Sequence, residues 1–126
     1  MLSLMLNLCL AGQPCKEIRV ADFYSAQAAY LCSLNRDGMA EQSKKEGRTG
    51  TFECKSGLGP SNLKSLAVLN FKVCTADSTC ETFPLADFYG KESAAPICAK
   101  NADYMRSGFE TAAKETGAII KLDCHS

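Results

Sequence analysis

Net charge is the first thing missing. Fourteen Lys and Arg balance fourteen Asp and Glu. The chain therefore lacks the long-range field by which non-specific nucleic-acid binders and anionic-membrane binders gather their partners, and no nucleic-acid partner is expected. Long apolar runs are missing too. None approaches the roughly 20 residues that a bilayer-spanning helix needs, so no transmembrane segment is expected. There is no Cys-x-x-Cys pair, which sets aside thioredoxin-like redox chemistry. No glycine-rich phosphate loop or dinucleotide fingerprint occurs, and no cofactor is implied. Histidine occurs once, at His125, one residue from the end of the chain. A Cys–His nucleophile pair would need a free thiol beside it, and its neighbour Cys124 is expected to be bridged.

Cysteine is what the sequence has in abundance: eight in 126 residues. An even number at regular spacing reads as a disulfide framework. Such frameworks persist outside the cytosol, so a periplasmic or secreted protein is expected. Zinc is the competing reading, but structural zinc ligands come in pairs two to four residues apart. The closest pairs here, Cys9/Cys15 and Cys74/Cys80, have five residues between them. No metal site is expected.

The cysteines fall into two sets. A shift of 65 residues superposes Cys9 on Cys74, Cys15 on Cys80 and Ala21-Asp22-Phe23-Tyr24 on Ala86-Asp87-Phe88-Tyr89. A shift of 66 matches Cys32 with Cys98, Asn35 with Asn101, Asp37 with Asp103 and Met39 with Met105. A shift of 70 matches Gly47 with Gly117, Cys54 with Cys124 and Ser56 with Ser126. This pattern reads as an internal duplication: a first four-Cys repeat over 1–56, a turn-rich linker over 57–66, and a second repeat over 67–126. The second copy gains four residues before Gly117. That is about one helical turn, which a helix absorbs without turning its buried face away.

The opening stretch, with leucine at 2, 4, 6, 8 and 10, resembles a signal-peptide core but lacks a basic leader. The repeat aligns Leu4, Leu6 and Leu8 with Leu69, Phe71 and Val73. This period-two alternation marks a half-buried strand of the fold. A signal peptide is accordingly expected to have been removed ahead of Met1.

Each copy reads as β-β-α-β. Strand one covers about 3–9 and 67–74. Strand two runs through Ile18 and Val20, or Phe83 and Leu85. A helix follows, with Ala28, Leu31, Cys32, Asn35 and Met39, or Ala94, Ile97, Cys98, Asn101 and Met105, on one face. Gly47 and Gly117 are its natural stops. Strand three is 49–54 or 118–124. A right-handed crossover over the helix lays strand three parallel to strand two, with strand one between them and antiparallel to both. The expected fold is α+β: two tandem units related by pseudo-twofold symmetry, forming one compact domain, with helices packed on a mainly antiparallel sheet and disulfides as staples. Cys32 and Cys54, or Cys98 and Cys124, can meet across the core. Cys9 and Cys15, or Cys74 and Cys80, can close a short turn. Bridges within a copy are favoured, because an ancestral single unit had to be self-sufficient.

The repeated Asp-Phe-Tyr is the most conspicuous match outside the cysteines. Asp22 and Asp87 can cap the helix start while Phe23, Tyr24, Phe88 and Tyr89 pack over the first turn. The functional reading makes the six residues a pair of aromatic binding patches. Asp37 and Asp103 could serve as paired acids only if the fold brought them together; a solvated helix face accounts for them, and for Asn35 and Asn101, more simply. No catalytic residue is assigned.

With Cys9, Cys15, Cys32 and Cys54 as one set and Cys74, Cys80, Cys98 and Cys124 as the next, each copy resembles a group of small exported bacterial proteins of unknown function. The resemblance implies a location rather than an activity. The expected function is an exported, non-catalytic binding or envelope protein with a protein or glycan partner and an undetermined oligomeric state. The alternative is a small enzyme or thiol-redox protein with a cleft between the repeats.

Overall fold

Alternating leucines along Leu2–Leu8 make β1, the strand that lies between the other two of the first unit in the computed structural model of the chain. The structure describes residues 1–75 and 77–125. Ser126, the sequence match of Ser56, lies outside the described residues. The elements run β1 (Leu2–Leu8), β2 (Lys16–Phe23), α1 (Ala28–Lys45), β3 (Gly50–Ser56), β4 (Ala67–Cys74), β5 (Cys80–Phe88), α2 (Ala94–Thr116) and β6 (Ile119–His125). The class is α+β. Two compact units divide the chain, Met1–Lys64 and Ser65–Ser126.

In the first unit β1 pairs antiparallel with β2 on one side and with β3 on the other. The leucine face of β1 looks toward α1. Leu4 lies opposite Ala21 and Cys54, and Cys54 is joined by a disulfide to Cys32 on the helix. Helix α1 turns Ala28, Leu31, Cys32 and Asn35 inward, the spacing of one buried stripe at 3.6 residues per turn. Leu4, Leu31, Phe23 and Cys32 form the centre of this core and are fully buried. Gly38 sits inside α1 without ending it. The helix stops before Gly47, whose left-handed φ of 68° lets its N–H turn back to the Lys44 carbonyl at no Cβ cost.

The second unit repeats the order β-β-α-β. Here β4 pairs antiparallel with β5 and with β6, and α2 buries Ala94, Cys98, Asn101, Ala102 and Met105. The helix has 23 residues against 18 in α1, five more, or rather over one turn. It closes on Gly117, which is left-handed and donates its N–H to the Ala113 carbonyl. Leu69, Leu85 and Phe88 carry the core with Cys98.

Among the described residues the β1–β2 and β4–β5 pairings each carry one irregularity, at the same place. Between Leu4 and Met5 the partner jumps from Ala21 to Arg19, which leaves Val20 as the additional residue. Between Leu69 and Asn70 it jumps from Ala86 to Pro84, which leaves Leu85. A bulge tolerates the missing amide proton of proline, and Pro84 sits beside one.

Four disulfides complete the two units. Cys9–Cys15 and Cys74–Cys80 clasp the β1–β2 and β4–β5 hairpins. Cys32–Cys54 and Cys98–Cys124 tie each helix to the last strand of its unit. No helix among the described residues is long and apolar enough to cross a membrane.

Candidate functional site

The bulge at Val20 changes what β2 can present. In a regular strand residues three apart point to opposite faces. The additional residue returns Arg19 and Asp22 to the same face, and they form an ion pair there, with the two guanidinium nitrogens 2.8 and 2.9 Å from Asp22 Oδ1. Ser3, opposite Asp22 on β1, donates its hydroxyl to the same oxygen at 2.5 Å. Arg19 also donates to the Gly59 carbonyl at 2.6 Å, which holds the segment after β3 against the first unit. Asp22 and Ser3 are both buried. A buried carboxylate is tolerable only when paired and hydrogen-bonded, and this one is both.

Asp22 is therefore no helix cap. β2 continues through Phe23 and the helix begins at Ala28, with Gln27 at its N-cap and no side-chain capping bond. The chain turns instead at Ser25, which has a φ of 70° and accepts the Ala28 N–H at its carbonyl. Asp87 likewise ends within β5, and α2 is preceded by Ser93, again without a side-chain cap. The capping expectation fails at both sites because the turn between strand and helix is longer than the cap geometry allows.

The six Asp-Phe-Tyr residues divide by burial. Phe23 and Phe88 are core side chains, and Asp22 belongs to the ion pair just described. Tyr24, Asp87 and Tyr89 are half-buried. Side chains as buried as Phe23 and Phe88 hold a core together rather than grip a partner, which leaves Tyr24, Tyr89 and Asp87 as the members of this motif that reach solvent.

The helix-borne polar pairs also separate. Asn35 and Asn101 are not on a solvated face: both are buried, and each donates its side-chain amide to the carbonyl four residues earlier, Leu31 at 2.7 Å and Ile97 at 2.8 Å. Asp37 and Asp103 are exposed and are engaged by Arg36 and Arg106 on their own helices. His125 is exposed and contacts Asp123. All eight cysteines are bridged, leaving no free thiol. Among the described residues no group of three or more His, Cys, Asp and Glu could hold a metal ion.

Two local sites were not foreseen. In the second unit Phe71 stacks on Phe83, with centroids 4.9 Å apart, and meets Phe109 of α2 at 5.1 Å. Beside it, Arg106, Phe109 and Glu110 of α2 and Ile120, Lys121 and Leu122 of β6 line an open groove of about 280 Å³. Phe109 and Glu110 fall in the stretch by which α2 is longer than α1. The other site is the loop inside Cys74–Cys80. Asp77 accepts from the Thr75 hydroxyl and from the Thr79 N–H. These bonds hold its carboxyl below the ordinary Asp range, the Thr75 bond most strongly.

No family model, curated protein or solved structure matches the chain.

Proposed function

We propose that the chain is an exported, non-catalytic binding or envelope protein, built by tandem duplication of one four-cysteine unit. The observation that carries this reading is the bridge pattern. Every disulfide closes within its own unit, and each unit has one hairpin clasp and one helix-to-strand tie. A unit of about 60 residues buries too little surface to be robust alone, and bridges of this kind persist in oxidising compartments. The bulges at Val20 and Leu85, and the buried amides of Asn35 and Asn101, support common descent of the two units.

Recognition without catalysis fits the chemistry at hand. The sulfurs are committed to bridges, and Asp37 and Asp103 are exposed and paired with arginines of their own helices. The surface offers instead two half-buried tyrosines and a groove beside β6. A protein or glycan is the partner such features suit.

The test begins with protein made in an oxidising compartment. Intact mass should fall by one hydrogen per cysteine relative to the reduced chain. The immobilised oxidised protein should then retain a discrete envelope protein or glycan that the reduced protein does not. Recovery of free thiols from that compartment, or turnover of thiol or ester substrates by the oxidised protein, would sink the proposal.

A further inference from the structure

A strand at the end of a sheet offers its outer amide and carbonyl groups to any other strand. Proteins blunt such edges with proline, bulges or badly placed charge. β6 is such a strand. It pairs with β4 along one edge, and among the described residues no strand pairs with its other edge. Its sequence, Ile-Ile-Lys-Leu-Asp-Cys-His, contains no proline, and its register with β4 runs without a shift.

We infer that β6 is a homodimerisation edge, at which two copies pair antiparallel through Ile119–His125 about a twofold axis at Leu122. Residues paired across two antiparallel strands point to the same face. A twofold axis between identical strands must therefore centre on a residue, not between residues. Pairing over the whole strand centres on Leu122. That register sets Lys121 opposite Asp123 of the other copy, twice, with Ile120 opposite Cys124 and Ile119 opposite His125. Moving the centre one residue either way sets lysine on lysine or aspartate on aspartate. The longest register is thus also the one in which unlike charges meet, and opposite charges directly across a pair are favourable where like charges are not.

The groove agrees with this placement. Neighbouring residues of a strand point to opposite faces, so a hollow lined by three in succession, Ile120, Lys121 and Leu122, runs along the strand's edge. Its far wall is Arg106, Phe109 and Glu110. Apolar side chains arriving on the helix side of a second strand would meet Phe109. Lys121 has no ion pair among the described residues and is exposed.

The first unit supplies the contrast. β3, Gly50–Ser56, is equally an end strand. Full-length self-pairing there centres on Glu53 and sets that carboxylate against its own copy. One edge is blunted by its central residue and the other is not.

Sedimentation of the oxidised full chain over a concentration series should show a monomer–dimer equilibrium. Lys121→Asp and Asp123→Lys should each weaken the dimer by about tenfold or more, as two attractive pairs become two repulsive ones. The double exchange, which restores unlike pairs, should recover the parent affinity. Glu53→Lys on the other edge should change nothing. Intact-mass and far-UV circular dichroism controls establish that each variant keeps its four bridges and fold. A monomer at every concentration, a dimer indifferent to both single reversals, a double variant that fails to recover, or a dimer lost in Glu53→Lys would each overturn the inference.

Discussion

The two units share a scaffold and fill it differently. In the first, the position after which the strand bulges holds Arg19, and its guanidinium meets a buried Asp22 steadied by Ser3. In the second, the same positions are Pro84, Asp87 and Val68. On the helix side the contrast reverses. Leu6 and Ile18 pair in the first unit, whereas Phe71 and Phe83 occupy the matching places in the second and stack on each other, with Phe109 from the longer helix against Phe71. Backbone features such as the bulge, the hairpin clasp and the helix stop recur, while the source of side-chain cohesion does not. A scaffold held by cross-links can exchange one kind of cohesion for another, because no single side-chain cluster has to carry the unit.

Cutting the cross-links should produce the largest effect. Replacing Cys32 and Cys54 by Ala opens a bridge with a sequence separation of 22. It should lower the stability of the first unit by about 3.5 kcal/mol through the added freedom of the unfolded chain, read from urea unfolding. Opening Cys9–Cys15, with a separation of 6, should cost about 2 kcal/mol on the same scale. Equal losses would show that the bridges act through native contacts rather than chain freedom.

The ion pair sharpens the contrast next. Arg19→Leu removes the guanidinium from a carboxylate that is 1% exposed, and breaking a buried pair typically costs about 3 kcal/mol. Ser3 continues to hold Asp22, so a loss of about 2–3 kcal/mol is expected, with faster proteolysis after Lys64 as the Gly59 contact is released. Pro84→Leu in the second unit breaks no ion pair and should cost much less.

Phe83→Ala comes third. It removes one ring from a stack worth about 1 kcal/mol beyond burial, and near-ultraviolet circular dichroism should report the loss. Ile18→Ala, at the matching place in the first unit, should be milder still because no aromatic contact is at stake.

Acid should have the smallest effect. The Asp77 carboxyl titrates below its ordinary value of 3.8 because the Thr75 hydroxyl and the Thr79 amide bond to its charged form. A depressed folded value stabilises fully above the unfolded one and is lost as pH falls through the lower folded value. Amide exchange in the 74–80 loop, relative to its intrinsic rate, should quicken as pH falls below 3.8 and through that lower value, and Asp77→Ala should abolish the pH dependence. The 9–15 loop has no acidic residue and should not respond.

The regular elements were legible in the chain because their signals are periodic. Leucine at every second position marked β1, Leu31 and Cys32 marked the inner face of α1, and glycines at 47 and 117 marked the helix stops. The four bridges join the cysteines that spacing and face had placed within reach. What stayed hidden depends on a single inserted residue or a single hydrogen bond. The bulge at Val20 moves Arg19 to the face of Asp22, and nothing in a period-two pattern announces it. Asn35 and Asn101 look like surface residues until each amide is seen returning to the preceding turn. The groove beside β6 arises where the two units differ in helix length, and a pattern of likeness passes over such places.

The helix-to-strand ties also bear on what happens when the molecule is pulled. A chain drawn out from its two ends pays out every residue between them unless a covalent link intervenes. Cys32–Cys54 and Cys98–Cys124 withhold loops with separations of 22 and 26 residues, about 75 and 90 Å of extended chain. Under tension each unit would yield only its outer segments and then stiffen, with helix, turn and much of the last strand shielded from load. A protein spanning two anchored bodies at a cell boundary would thus reach a fixed limit of extension, and would lengthen further only in reducing surroundings.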